Sequence, residues 1–138
     1  MISHKLALSL LRYSLGIVFF WFGILKLFNA SPVIEIIERA LPPMLGESEL
    51  FMFSLAFVEM LIGIAFLANR FVKLAAFVMI GHLLVATGSV LITQGFTPRF
   101  PVLSFAGEFV VKNIVLIAAG VILIAEKNEK TSEKDIKK

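Results

Sequence analysis

A chain of 138 residues that is 59% hydrophobic and only 17% charged, with a mean hydropathy of +0.94, is not a water-soluble domain; its composition is that of a small polytopic membrane protein. The net charge of +3 comes with a lysine-rich C-terminal end, not with a basic face interleaved with exposed aromatics, so it speaks for membrane orientation and against nucleic acid as a partner. The absence of cysteine excludes disulfides, zinc–thiolate sites, iron–sulfur ligation and any thiol relay carried by this chain.

The opening MISHK leads into the first apolar segment, Leu6 to Phe28, which is long enough to cross a bilayer yet carries Arg12 and Lys26. A secretory signal is the rival reading. The internal Arg12, the length, and the bulky Phe28 where cleavage after Ala30 would need a small residue all oppose it, and the segment is expected to be retained. On a helix turning about 100° per residue, Arg12, Gly16, Phe19, Gly23 and Lys26 fall within roughly 40° of one line. That stripe is cationic at both ends and small at two points between, and it should face other helices, with Trp21 on the opposite side.

From Asn29 to Glu49 the chain is acidic and punctuated. Ser31 and Pro32 suit a helix start, and Val33, Ile34, Ile36, Ile37 and Leu41 set against Glu35, Glu38 and Arg39 predict a short amphipathic helix ended by Pro42-Pro43. It is expected to lie in the interface plane of the first outer loop. Leu50 to Ala68 is the second span, carrying Glu59, and Asn69-Arg70 makes a tight turn into the third, Phe71 to Ile92, which carries His82. Ala86, Ser89 and Thr93 continue a small, weakly polar face from His82. The loop from Thr93 to Phe100 precedes a fourth span from Pro101 through Ala125 that contains Glu108, Lys112 and Asn113.

The expected architecture is therefore an all-α, antiparallel bundle of four transmembrane helices over residues 1–125, with residues 126–138 a charged, disordered cytoplasmic tail. Lys5, Arg70, Lys73 and the tail lysines fall on one side, against Arg39 and Arg99 on the other. Both termini should be cytoplasmic, in a multi-pass inner-membrane protein.

Any chemistry must lie in the charges at membrane depth. A rise of about 1.5 Å per residue puts Glu59, His82 and Lys112 near mid-bilayer, Arg12 on the cytoplasmic side and Glu108 on the outer side. Glu59 is then the only acid within reach of both Arg12 and Lys112. Lys26, near the outer end of its helix, is expected to anchor at the headgroups, and Glu108 and Lys112 are spaced for an internal ion pair. Arg12, Lys26 and Lys112 outnumber Glu59 and Glu108 by one, a surplus that suits an anionic or quinone-like ligand whose oxygens accept hydrogen bonds. The candidate ligand-binding core is thus Arg12, Lys26, Glu59, His82, Glu108 and Lys112. Haem held by two histidines is disfavoured because the other histidine, His4, precedes the first span. There is no metal-ligand cluster, no covalent cofactor motif and no nucleophile–base arrangement.

The run Arg12-x-x-x-Gly16-x-x-Phe19-Phe20-x-Phe22-Gly23-x-x-Lys26-Leu27-Phe28, with Glu59 in the second span and GEFVVKNIVLIAAGVILI from Gly107 to Ile124, resembles the DoxX family, near its YkgB-like branch. The resemblance implies a small four-helix inner-membrane protein, similar in some relatives to a quinone-linked oxidoreductase subunit and in others to members of oxidative-stress complexes. Relatives concerned with thiol chemistry are a poor guide to a chain without cysteine. By this resemblance the chain is a membrane subunit of a redox or stress-defence assembly, binding quinone, lacking a redox centre of its own and working with a soluble oxidoreductase, with self-association also open. The alternatives are a small-solute transporter or channel using the same polar core, and a scaffold that recruits a soluble partner.

Overall fold

The computed structural model describes residues 3–31, 33–42, 48–94 and 104–136, apart from the side chains of 93, 94 and 129–136. Among these residues there are five helices: α1 (His4–Leu27), α2 (Ile34–Ala40), α3 (Glu49–Leu67), α4 (Val72–Gln94) and α5 (Phe105–Ile136). Four of them, all but α2, are long and apolar enough to cross a membrane. The all-α, four-span architecture is the one expected from the apolar segments.

The helix ends follow local chemistry. Ser3, Ser48 and Ser104 accept hydrogen bonds from Leu6, Phe51 and Gly107 and so begin three of the spans. Pro101, expected to open the fourth span, lies outside the described residues. At the other ends, Asn29 and Asn69 stand at φ 53° and 54°, the left-handed conformation that asparagine tolerates better than most residues. Each closes a Schellman motif, with Ala30 N–H donating to Leu25 O at 2.8 Å and Arg70 N–H to Ala65 O at 3.0 Å. The second of these is the expected tight turn between α3 and α4.

The predicted stripe on α1 is buried along its whole length, from Arg12 through Gly16, Phe19 and Gly23 to Lys26, and Trp21 is 58% exposed on the lipid side. The stripe packs on antiparallel α3 nearly backbone to backbone. A Cβ at Gly63 would lie 2.5 Å from Phe20 N and 2.8 Å from Gly16 O, and one at Gly23 would lie 2.7 Å from Ala56 O. Without a hydrophobic driving force between helices in lipid, such close approach supplies the dispersion contacts that hold a membrane pair together. The second extensive contact is between α4 and α5.

Two apolar clusters cap the bundle. Nearer the termini, Leu15, Phe19, Ile62, Phe66, Met79 and Leu123 form a closed core. At the opposite end, Ile36 and Ala40 of α2 pack against Val90, Ala106 and Val110. The short amphipathic helix forms, and its apolar face is seated on α4, where it roofs the bundle. It begins at Ile34 behind Val33, with Ser31 Oγ accepting from Val33 N–H at 3.4 Å, and Pro32 lies outside the described residues.

The fourth span does not stop at Ala125. α5 runs on to Ile136, so helix continues into the charged segment from residue 126 that the composition marks as a tail. Glu and Lys are good helix formers, and a helix already nucleated in the membrane extends at little cost where burial contributes nothing. The start of α1 meets α5 near the end of its apolar stretch, with His4 Nε2 3.2 Å from Glu126 Oε2.

Candidate functional site

The charged residues expected to form one polar core separate into two places. Arg12 is buried in the half nearer the termini, where its Nη1 donates to Phe66 O and, at 3.4 Å, to Leu67 O. These are carbonyls of the last turn of α3, at the negative end of the helix dipole; Phe66 O also accepts from Asn69 N–H at 3.2 Å. Arg12 thus caps a neighbouring helix, and its guanidinium also lies 4.2 Å from the centroid of the adjacent Tyr13 ring. The expectation that Glu59 serves Arg12 is corrected: a main-chain partner one helix end away takes that role.

Glu59 belongs to a second group. Its Oε2 is 2.6 Å from Lys26 Nζ and its Oε1 is 3.1 Å from His82 Nε2. Lys26, expected at the headgroups, has a side chain only 4% exposed. The reason is directional. A helical side chain leans toward its own N-terminus, so from near the end of α1 the lysine stem runs back into the bundle, and the glycine contacts with α3 bring the Glu59 carboxylate within its reach. If the His82 ring is neutral, the carboxylate assigns the proton to Nε2 and leaves Nδ1 as an acceptor.

Lys112 enters from α5. Its ammonium lies 4.9 Å from the centroid of Phe22 and 4.8 Å from that of Phe109, and among the described residues it makes no ion pair. The Glu108–Lys112 pair allowed by spacing does not form. Glu108 is exposed in the first turn of α5, where the positive end of the dipole favours a carboxylate, while Lys112 turns onto the rings. Glu108 accordingly stands outside the site.

Lys26, Glu59, His82 and Lys112 line one cavity of about 100 Å³, between the two apolar clusters and beneath α2. Its other walls are largely apolar, with Phe22 and Leu116 among them, and Ala86 and Ser89 continue the small face that leads from His82. Thr93, the last residue of that predicted face, has its side chain outside the described set. Two further lining residues escaped the charge-based reading. Phe22 supplies the cation–π floor for Lys112, and Asn113 is buried to 1% with Nδ2 donating to Thr87 Oγ1 at 3.0 Å. A polar amide inside an apolar span, next to a lysine, was the available signal for the second. Among the described residues no group of three His, Cys, Asp or Glu side chains could hold a metal ion.

The arrangement can do one thing well: present the N–H donors of one cation, beside an imidazole–carboxylate pair, to a small ligand held by apolar walls. These features define a polytopic helical membrane protein with a partly polar pocket between its spans. The chain belongs to the DoxX family, whose model matches residues 7–92. The match takes in Arg12, Lys26, Glu59 and His82 and ends before the helix that carries Lys112 and Asn113. No curated protein and no solved structure gave a significant match.

Proposed function

We propose that this DoxX-family protein binds the ring of a quinone or similar lipophilic carrier in the intramembrane pocket and acts as the membrane subunit of a redox or stress-defence assembly. The observation that carries the reading is Lys112, a cation set between two phenyl rings in a largely apolar cavity whose one lining carboxylate among the described residues, Glu59, is already engaged by Lys26 and His82. Lys112 is half-buried, and drawing an ammonium partly out of water without an acid costs free energy that a ligand oxygen brought to it would recover. The cavity, about 100 Å³, is of the order of the ~150 Å³ apolar cavity that takes up benzene, so it suits a single six-membered ring with an alkyl tail leaving through the open side. Carbonyl oxygens of such a ring accept from Lys112. The redox context is drawn from the family resemblance, including its YkgB-like branch, and not from the pocket itself.

The chain supplies no redox centre of its own, so electrons would come from a soluble oxidoreductase partner, while His82 and Glu59 are placed to hold and pass protons. An inner-membrane location with cytoplasmic termini would put the end marked by His4 and Glu126 on the partner's side. A transporter would need a water-connected route on both sides of the site, and the closed cluster around Phe19, Phe66 and Met79 stands across it.

The deciding experiment measures quinone-analogue binding and solute flux on one purified sample, for the wild type and for Lys112→Ala. Binding that weakens at least ten-fold in the variant, without flux, is the expected result. Flux without quinone binding, abolished by the substitution, would establish transport instead, and the absence of both would leave a scaffold.

A further inference from the structure

Asn113 Oδ1 is the one buried side-chain polar atom among the described residues that has no hydrogen-bond partner. It belongs to a residue 1% exposed that lines the cavity beside Lys112. The amide orientation is set by Thr87, whose Oγ1 accepts from Asn113 Nδ2 at 3.0 Å. With its NH₂ turned onto that hydroxyl, the amide leaves its oxygen without a partner.

A buried acceptor with no donor costs free energy that a ligand O–H or N–H would recover. The pocket therefore offers two opposite kinds of hydrogen-bonding group: a donor in the Lys112 ammonium and an acceptor in Asn113 Oδ1. A fully oxidised quinone ring has only acceptor oxygens and can satisfy the lysine but not the amide. We infer that Asn113 makes the site selective for a ring bearing a hydroxyl, so that the pocket takes a quinol or hydroxylated quinone in preference to the quinone. This inference rests on the ring-binding reading and specifies which member of the class it applies to. It concerns binding alone and requires no electron transfer in the site. A site built around a substrate hydroxyl discriminates against analogues lacking one because its own polar group is then left unpaired.

The test uses the full chain in nanodiscs, with a decyl-substituted benzoquinone, its quinol kept reduced under anaerobic conditions, and the dimethyl ether of that quinol, which lacks both hydroxyl hydrogens. Binding is measured by equilibrium dialysis, with partition into empty discs subtracted. The wild type should bind the quinol roughly ten-fold tighter than either the quinone or the ether. Asn113→Leu should bring that ratio to about one. Thr87→Val, which removes the group orienting the amide, should lower the ratio in the same direction and serves in place of the leucine variant if that variant does not fold. Equal affinity for quinol and quinone in the wild type, or a preference that survives both substitutions, would overturn the selectivity and leave the ring-binding reading intact. Failure of the wild type to bind any of the three compounds would overturn both.

Discussion

Lys26 and Glu59 have side chains 4% and 6% exposed, so neither can be neutralised without leaving its partner as a bare charge in a low-dielectric interior. Breaking such a pair from one side typically costs about 3–5 kcal/mol, whereas replacing both members by apolar groups is often close to neutral. Glu59→Gln should therefore lower the melting temperature in detergent markedly, and Lys26→Met added to it should recover most of the loss. A Glu59→Gln protein that melts like the wild type would refute the buried pair. Arg12 makes a separate prediction, because it bonds main-chain carbonyls and not an acid. Arg12→Ala should cost about 1.5–3 kcal/mol, the usual range for hydrogen bonds to a charged group, and its effect should add to that of Glu59→Gln, since the two sites share no partner. Thermal melts of the single and double variants measure the coupling directly.

At the level of helices, the contact between α1 and α3 depends on glycines that allow backbones to touch. An added methyl at Gly63 would sit 2.5 Å from Phe20 N, and main chain cannot move aside as a flexible side chain can. Gly63→Ala should push the two helices apart at a cost of about 1–3 kcal/mol. It should also weaken ligand binding, because the reach of Lys26 to Glu59 depends on that spacing. Gly81 is the internal control: nothing lies within 4 Å of a Cβ there. Gly81→Ala should leave stability unchanged or raise it by up to about 1 kcal/mol, the helix-propensity difference. Melting curves that rank the two variants the other way would contradict the packing described here.

For the molecule as a whole, an even number of spans places both ends on the same side, and the contact of His4 with Glu126 agrees with that. The lysine asymmetry predicts that this side is the cytoplasm. Reporter fusions at Lys138 and in the loop at Pro42 should therefore give cytoplasmic and external signals respectively, and a periplasmic C-terminus would reverse the assignment. The cavity would then open in the outer half of the membrane under α2, with the closed cluster between it and the cytoplasm.

The sequence by itself determined the number of spans, the buried stripe from Arg12 to Lys26 and the outward face of Trp21. Those features follow from apolar length and from a helical period, both of which are local quantities. It also located Glu59, His82 and Lys112 at a common depth, because rise per residue is nearly constant along a helix. Which charge meets which was decided only by tertiary structure. The approach of α1 to α3 through glycine, together with the backward lean of a helical side chain, turned Lys26 inward onto Glu59, and the last-turn carbonyls of α3, at the negative end of its dipole, took Arg12 out of the core. The roofing position of α2 and the unpartnered oxygen of Asn113 belong to the same category. Periodicity can place a residue on a face, but a hydrogen bond depends on the separation and rotation of two helices, and these are fixed only when every helix has packed.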